Sequence, residues 1–133
     1  MKRLILIRHA KSDWHSGTAT DFDRPLNERG KKAAPRMGKR LAQRGCAPDL
    51  LISSPAKRAR QTAKKIATQI DYPKDGILLR EEIYEASRLT LLNLIKNLDD
   101  QYSHVILIGH NPGFSEVGEW FSDETPDWLA TCG

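Results

Sequence analysis

Four short runs of uninterrupted apolar residues constrain this chain more than anything else in it. They are Leu4-Ile5-Leu6-Ile7, Leu50-Leu51-Ile52, Ile77-Leu78-Leu79 and Val105-Ile106-Leu107-Ile108. None alternates with polar residues, so none reads as a strand with one wet face. Runs of this kind suit strands buried on both faces, as in a parallel sheet covered by helices. The intervening segments carry the helical period. Residues 55–70 align Ala56, Ala59, Ala63, Ile66, Ala67 and Ile70, and Ser54-Pro55 supplies a cap with proline at the first helical position. Residues 88–98 repeat the pattern with Leu91, Leu94, Ile95 and Leu98, and Asn111-Pro112 starts another with Phe114, Val117, Trp120 and Phe121. Glu28 to Arg44 places Ala34, Met37 and Leu41 inward, with Pro35 expected to kink that helix or delay its start.

Strands alternating with helices predict an α/β fold, a three-layer α/β/α sandwich with a mostly parallel central sheet. With 133 residues, no internal repeat and no linker, the chain reads as a single domain, 1–133. No final strand or helix is read in Asp123–Gly133, which leaves open that the C-terminal element is absent. The longest apolar runs are four residues, so no transmembrane helix and no signal peptide is read. Cys46 and Cys132 are read as unpaired thiols of a cytoplasmic protein. All 21 Lys and Arg precede residue 97, and the seven acids beyond it stand without a base. That balance permits an anionic substrate. The basic stretch lacks interleaved aromatics, which argues against nucleic acid. Lys31, Lys32, Arg36, Lys39, Arg40 and Arg44 read as a solvated helix face or a docking surface for an acidic partner.

In open parallel sheets ligands bind beyond the carboxyl ends of the strands. Those ends carry Arg8-His9, then Ser53-Ser54-Pro55 with Arg58 one turn on, then Arg80-Glu81-Glu82, then Gly109-His110-Asn111-Pro112. Two arginines, two imidazoles and the helix starts after Ser54 and Asn111 describe a pocket for a tetrahedral anion. Arginine forks bind two oxygens at once, and helix N-termini present free N–H groups.

These residues resemble the histidine phosphatase superfamily, which includes the cofactor-dependent phosphoglycerate mutases. Leu6-Ile7-Arg8-His9-Ala10 is similar to its Arg-His-Gly/Ala signature, Ser54 to Ala63 to its second motif, and Gly109-His110-Asn111-Pro112 to its third. Arg24-Pro25-Leu26-Asn27-Glu28-Arg29-Gly30 matches a further stretch where the first loop re-enters a helix. The His-Ala-Lys-Ser-Asp-Trp variant and the short chain resemble the SixA type, the phosphohistidine phosphatases. About seven residues, Arg80 to Ala86, separate the third strand from the next helix, which leaves little material for a lid.

The resemblance implies that His9 is the nucleophile, that Arg8 and Arg58 hold the phosphoryl oxygens, and that His110 donates from the opposite side. It implies no cofactor and no metal, and His15 and His104 form no ligand spacing. Glu82 best fits the place of the general acid that family members use on alcohol phosphates, with Glu81 and Glu85 as neighbours that could be misaligned with it. Imidazole leaves readily without such an acid, so the need for it depends on substrate. Arg24, Lys11, Ser12 and Asp13 are candidate substrate contacts. The expected substrate bears phosphate, either on a protein histidine or, alternatively, as a small phosphomonoester such as a sugar or nucleotide phosphate. A non-catalytic phosphoprotein-binding module is the third reading. Oligomeric state stays open.

Overall fold

The computed structural model describes residues 3–13, 20–99, 101–111, 113–116 and 129–131. Strand β1 (Arg3–Arg8) leads through a long loop to helix α1 (Glu28–Gln43), β2 (Leu50–Ser53), α2 (Lys57–Gln69), β3 (Leu78–Leu79), α3 (Arg88–Lys96), β4 (His104–Gly109) and β5 (Leu129–Thr131). The sheet has five strands in the order β3-β2-β4-β1-β5, and every pairing is parallel.

The apolar runs divide their side chains between two cores, as the period of a strand requires. Ile5, Ile7, Leu51, Ile106 and Ile108 face the layer of α1 and α2, meeting Ala34, Met37 and Leu41 of one helix and Ala59, Ala63 and Ile66 of the other. Leu6, Leu50, Ile52, Val105 and Leu107 face the opposite layer, with Leu91 and Leu94 of α3 and with Phe114. Each such side chain contributes about 1.5–3 kcal/mol when fully buried, so the central strands are the stable frame of the molecule.

Several local expectations need correction. β3 is not buried on both faces. It is a two-residue edge strand hydrogen-bonded to β2 on one side, and Leu78 and Leu79 are 41% and 46% exposed. Helix α2 starts at Lys57, after Ala56, two residues later than the Ser54-Pro55 pair suggests, and the Ser54 hydroxyl accepts from the Ala56 N–H (3.2 Å). Pro35 does not delay α1, which starts at Glu28 with the Asn27 side chain accepting from the Gly30 N–H (2.8 Å). The chain ending also supplies a strand. Leu129–Thr131 pairs with Leu6–Arg8, an element too short to announce itself by periodicity.

Residues 113–116 are helical, as read after Asn111. Val117, Trp120, Phe121, Trp14, His15 and Cys132 lie outside the described residues. Cys46 is a free, buried thiol, and burial pushes its pKa up. Lys31, Lys32, Arg36, Lys39, Arg40 and Arg44 of α1 and its end are all solvent-exposed. Among the described residues no helix is long and apolar enough to cross a membrane.

Candidate active site

Strand register places the two imidazoles. Arg8 and Gly109 pair across β1 and β4, so the residues that follow them leave the sheet side by side. The His9 N–H donates to the Gly109 carbonyl (2.9 Å), and the His9 and His110 rings stand 5.1 Å apart between centroids. Gly109 is needed because a Cβ there would come within 2.5 Å of the buried Phe114 ring. On the other side of β4, Ser53 pairs with Ile108 and the Ser54 N–H donates to the Ile108 carbonyl. This brings the Ser54 hydroxyl 2.7 Å from His110 Nε2.

Helix α2 locks this edge to the loop after β1. Thr62 donates its hydroxyl proton to the Arg58 carbonyl (2.8 Å) and accepts from the Ala10 N–H (3.1 Å). Gln61 accepts from the Leu26 N–H (2.8 Å). Residues 11–13 run beside 25–27, with Asp13 N–H donating to the Pro25 carbonyl and Asn27 N–H to that of Lys11. A Cβ at Gly30 would strike the Lys11 carbonyl, so only glycine lets α1 approach this closely. The Arg24-to-Gly30 stretch is thus a brace that holds Arg24 at the cleft.

Asp21 is the hub of the charged groups. Its Oδ2 accepts from Arg58 Nη2 (3.0 Å) and from the Tyr84 hydroxyl (2.6 Å), and its Oδ1 from Arg24 Nη2 (3.0 Å). Arg58 Nη1 also donates to the Asp21 carbonyl (2.7 Å), and its Nε to His9 Nε2 (3.3 Å). The Tyr84 bond and the Arg58 charge hold the Asp21 carboxyl below its ordinary range. The same bond pushes Tyr84 up to about 12. The Tyr84 ring stands edge-on to both Phe22 and His110.

His9 is pushed down to about 4, chiefly by burial, and the Arg58, Arg8 and Arg24 charges act in the same direction. It is therefore neutral at pH 7. Its Nδ1 lies 2.6 Å from the Ala10 carbonyl, which can only accept, so Nδ1 carries the proton and Nε2 a lone pair. His110, buried and beside His9 and Arg58, is pushed down to about 3.

One cleft of about 570 Å³ collects Arg8, His9, Lys11, Ser12, Arg24, Arg58 and His110. Glu82 is not brought there. Its carboxylate grips Arg80 through two hydrogen bonds (2.6 and 3.0 Å) and faces a separate cleft against α3. The physical reason is its position: Glu82 follows the edge strand, where its neighbour Arg80 is the available partner. The carboxylate from this segment that does line the main cleft is Glu85, in a left-handed turn at φ 56°. Sequence reasoning missed Asp21 and Tyr84. The spacing of Asp21 three residues before Arg24 was a weak signal for the first, and none marked the second. Among the described residues no group of three or more His, Cys, Asp or Glu is placed to hold a metal.

The sequence model of the histidine phosphatase superfamily (branch 1) matches residues 4–103. The chain belongs to this superfamily. An uncharacterized chloroplastic protein of Arabidopsis thaliana is 32% identical over 139 residues, covering 98% of this chain and 63% of that protein. An uncharacterized Mycobacterium tuberculosis protein is 37% identical over 111 residues, covering 84% of this chain and 66% of its own length. The chain therefore spans just under two thirds of these curated relatives. Among solved structures, SixA from Agrobacterium tumefaciens superposes with a TM-score of 0.81 at 34% identity, covering 92% of this chain and 79% of that one. The architecture is accordingly the phosphoglycerate mutase-like sandwich of the histidine phosphatases. Within the superfamily match lie His9 and Arg58, while His110 falls just beyond it.

Proposed function

We propose that this histidine phosphatase hydrolyses a phosphorylated substrate through a phosphohistidine intermediate on His9, and that the substrate is a protein phosphohistidine of the SixA type. The observation that carries the reading is the state of His9, a neutral imidazole whose Nδ1 proton is committed to Ala10 and whose Nε2 lone pair accepts from Arg58 Nε (3.3 Å) in a cleft lined by Arg8, Arg24 and Arg58. Nε2 attacks phosphorus, and the bond from phosphorus to the leaving group breaks with its electron pair departing on that group. Water then attacks the phosphorus on Nε2, releasing phosphate and returning the lone pair to His9. Arg8 and Arg58, with Arg24 behind them, bind and stabilise the phosphoryl oxygens, and His110 faces them from β4. Lys11 and Ser12 line the approach.

Three observations support a protein-borne phosphohistidine. The segment between β3 and α3 is short: it contributes Glu85 to the cleft lining and packs the Tyr84 ring against His110, where a longer insertion could have roofed the cleft. Imidazole is a leaving group that needs little acid assistance, and Glu82 is tied to Arg80. The solved relative from Agrobacterium tumefaciens carries the SixA name. A cytoplasmic location fits the buried free thiol of Cys46. One feature favours a phosphomonoester instead: Glu85 at the cleft, where a carboxyl group could protonate a departing alkoxide.

The test is to incubate the chain with a phosphohistidine-bearing protein and with p-nitrophenyl phosphate, quenching in alkali, where phosphohistidine survives. Wild type should trap phosphate on His9 and turn over the protein substrate faster. His9→Ala should lose about 10⁴-fold or more. Full turnover by His9→Ala, or a wild type never phosphorylated on His9, overturns the mechanism.

A further inference from the structure

Ser54 lies wholly inside the protein, and its hydroxyl has two neighbours. The Ala56 N–H donates to Oγ at 3.2 Å, and Oγ stands 2.7 Å from His110 Nε2. A hydroxyl accepts readily but has a single proton to give. Among the described residues, the acceptor that proton can reach is His110 Nε2. His110 is itself only 8% exposed, and its Nδ1 is buried with no hydrogen-bond partner among those residues.

Three protonation patterns of the His110 ring are possible. With the proton on Nε2, the Ser54 oxygen accepts twice, its own proton has no acceptor, and a bare Nδ1 sits buried without a donor. With both nitrogens protonated, a buried cation stands against Arg58 and the neighbouring imidazole, which burial and charge both oppose. With the proton on Nδ1, Ala56 donates to Ser54, Ser54 donates to Nε2, and one buried N–H is left without a partner among the described residues, on a ring that lines the cleft. The third pattern leaves the fewest buried groups unsatisfied.

We infer that Ser54 is a positioning residue that fixes His110 as its Nδ1–H tautomer, so that the ring offers one donor, Nδ1–H, to an anion bound beside His9. The two imidazoles of the cleft then share a tautomer and do opposite work. His9 spends its Nδ1 proton on the Ala10 carbonyl and shows a lone pair. His110 spends its Nε2 lone pair on Ser54 and shows a proton. A backbone carbonyl sets the first, and a side-chain hydroxyl sets the second, which makes the second open to mutation. The consequence for turnover rests on the phosphatase reading; the tautomer does not.

The experiment is long-range ¹H–¹⁵N correlation of the histidine rings in the labelled full chain at neutral pH, with inorganic phosphate as the probe. Wild type should show a protonated Nδ1 and a bare Nε2 on His110, and added phosphate should move the Nδ1 proton. In Ser54→Ala the ring should become a mixture of tautomers, with phosphate binding and kcat each reduced about tenfold. A wild-type ring protonated on Nε2 overturns the inference, and that spectrum requires no variant to fold. So does a folded Ser54→Ala that keeps both the tautomer and its phosphate affinity. If the tautomer is as expected while His9→Ala still turns over substrate, the phosphatase mechanism fails and the ring assignment stands.

Discussion

Two carboxylates, Asp21 at the centre of the sheet edge and Glu82 at its periphery, each hold arginine, yet they serve the molecule differently. Asp21 touches Arg58, Arg24 and Tyr84 at once, and Arg58 and Arg24 are almost fully buried beneath it. Glu82 pairs with the side chain of Arg80, and both side chains are about two-fifths exposed (44% and 40%). An exposed pair contributes about 0–1 kcal/mol, whereas a carboxylate bridging buried arginines orients groups whose desolvation has already been incurred. The difference follows from topology. Behind Asp21 stand β1 and β4, flanked by paired strands and bringing α2 and the brace loop together. Behind Glu82 stands β3, two residues long with one neighbour.

The sharpest way to break this contrast is Asp21→Asn. With the countercharge gone, Arg58 loses the anchor that aims its Nε at His9. We expect kcat/KM to fall about 10- to 100-fold, the range that misplacement of a positioned group produces. Tyr84 should simultaneously titrate below its present value of about 12, which ultraviolet titration reads directly. Unchanged turnover together with an unshifted Tyr84 would remove Asp21 from the network.

Acid pH probes the centre next. His9 and His110 are held down to about 4 and about 3 against an ordinary 6.5, so the unfolded chain takes up protons that the folded chain refuses. Stability from their neutral burial is fully present above pH 6.5 and is lost as pH falls from there through the folded values. Urea unfolding between pH 8 and 4 should show that decline. On a substrate whose own groups do not titrate there, the acid limb of kcat/KM should lie near pH 4. A limb at 6.5 would mean that His9 is not buried as described.

The smallest effect is expected at the edge. Glu82→Gln should leave turnover of phosphohistidine and of aryl phosphate within about twofold, since the group it abandons is an exposed arginine. A selective loss on the aryl ester would return the general acid to Glu82 and require the segment after β3 to move in toward the cleft.

Much of the fold was legible from the chain because the central strands are continuous apolar runs. Leu4–Ile7 and Val105–Ile108 supply apolar side chains to both faces of the sheet, as a strand covered on both sides requires. What β3 and β5 would become was not legible. Leu78-Leu79 reads like a buried strand although it lies at the rim, and the burial of an apolar pair depends on neighbours that the pair does not specify. Most of the cleft could be listed as well, because Arg8, His9, Arg58 and His110 each follow a strand or open the helix after one.

The chain by itself determined which residues reach the carboxyl edge of the sheet, since strand ends and helix starts are written in local composition and period. Tertiary structure alone decided which of them meet. Register set Arg8 against Gly109 and thereby His9 beside His110. It also set Ser53 against Ile108, turning what reads as a helix cap at Ser54 into a partner of His110. Packing brought Tyr84 to Asp21 across 63 residues and left Glu82 with Arg80. Contacts between distant segments are fixed by the pairing of strands and the packing of helices on them, and a residue type carries no record of either.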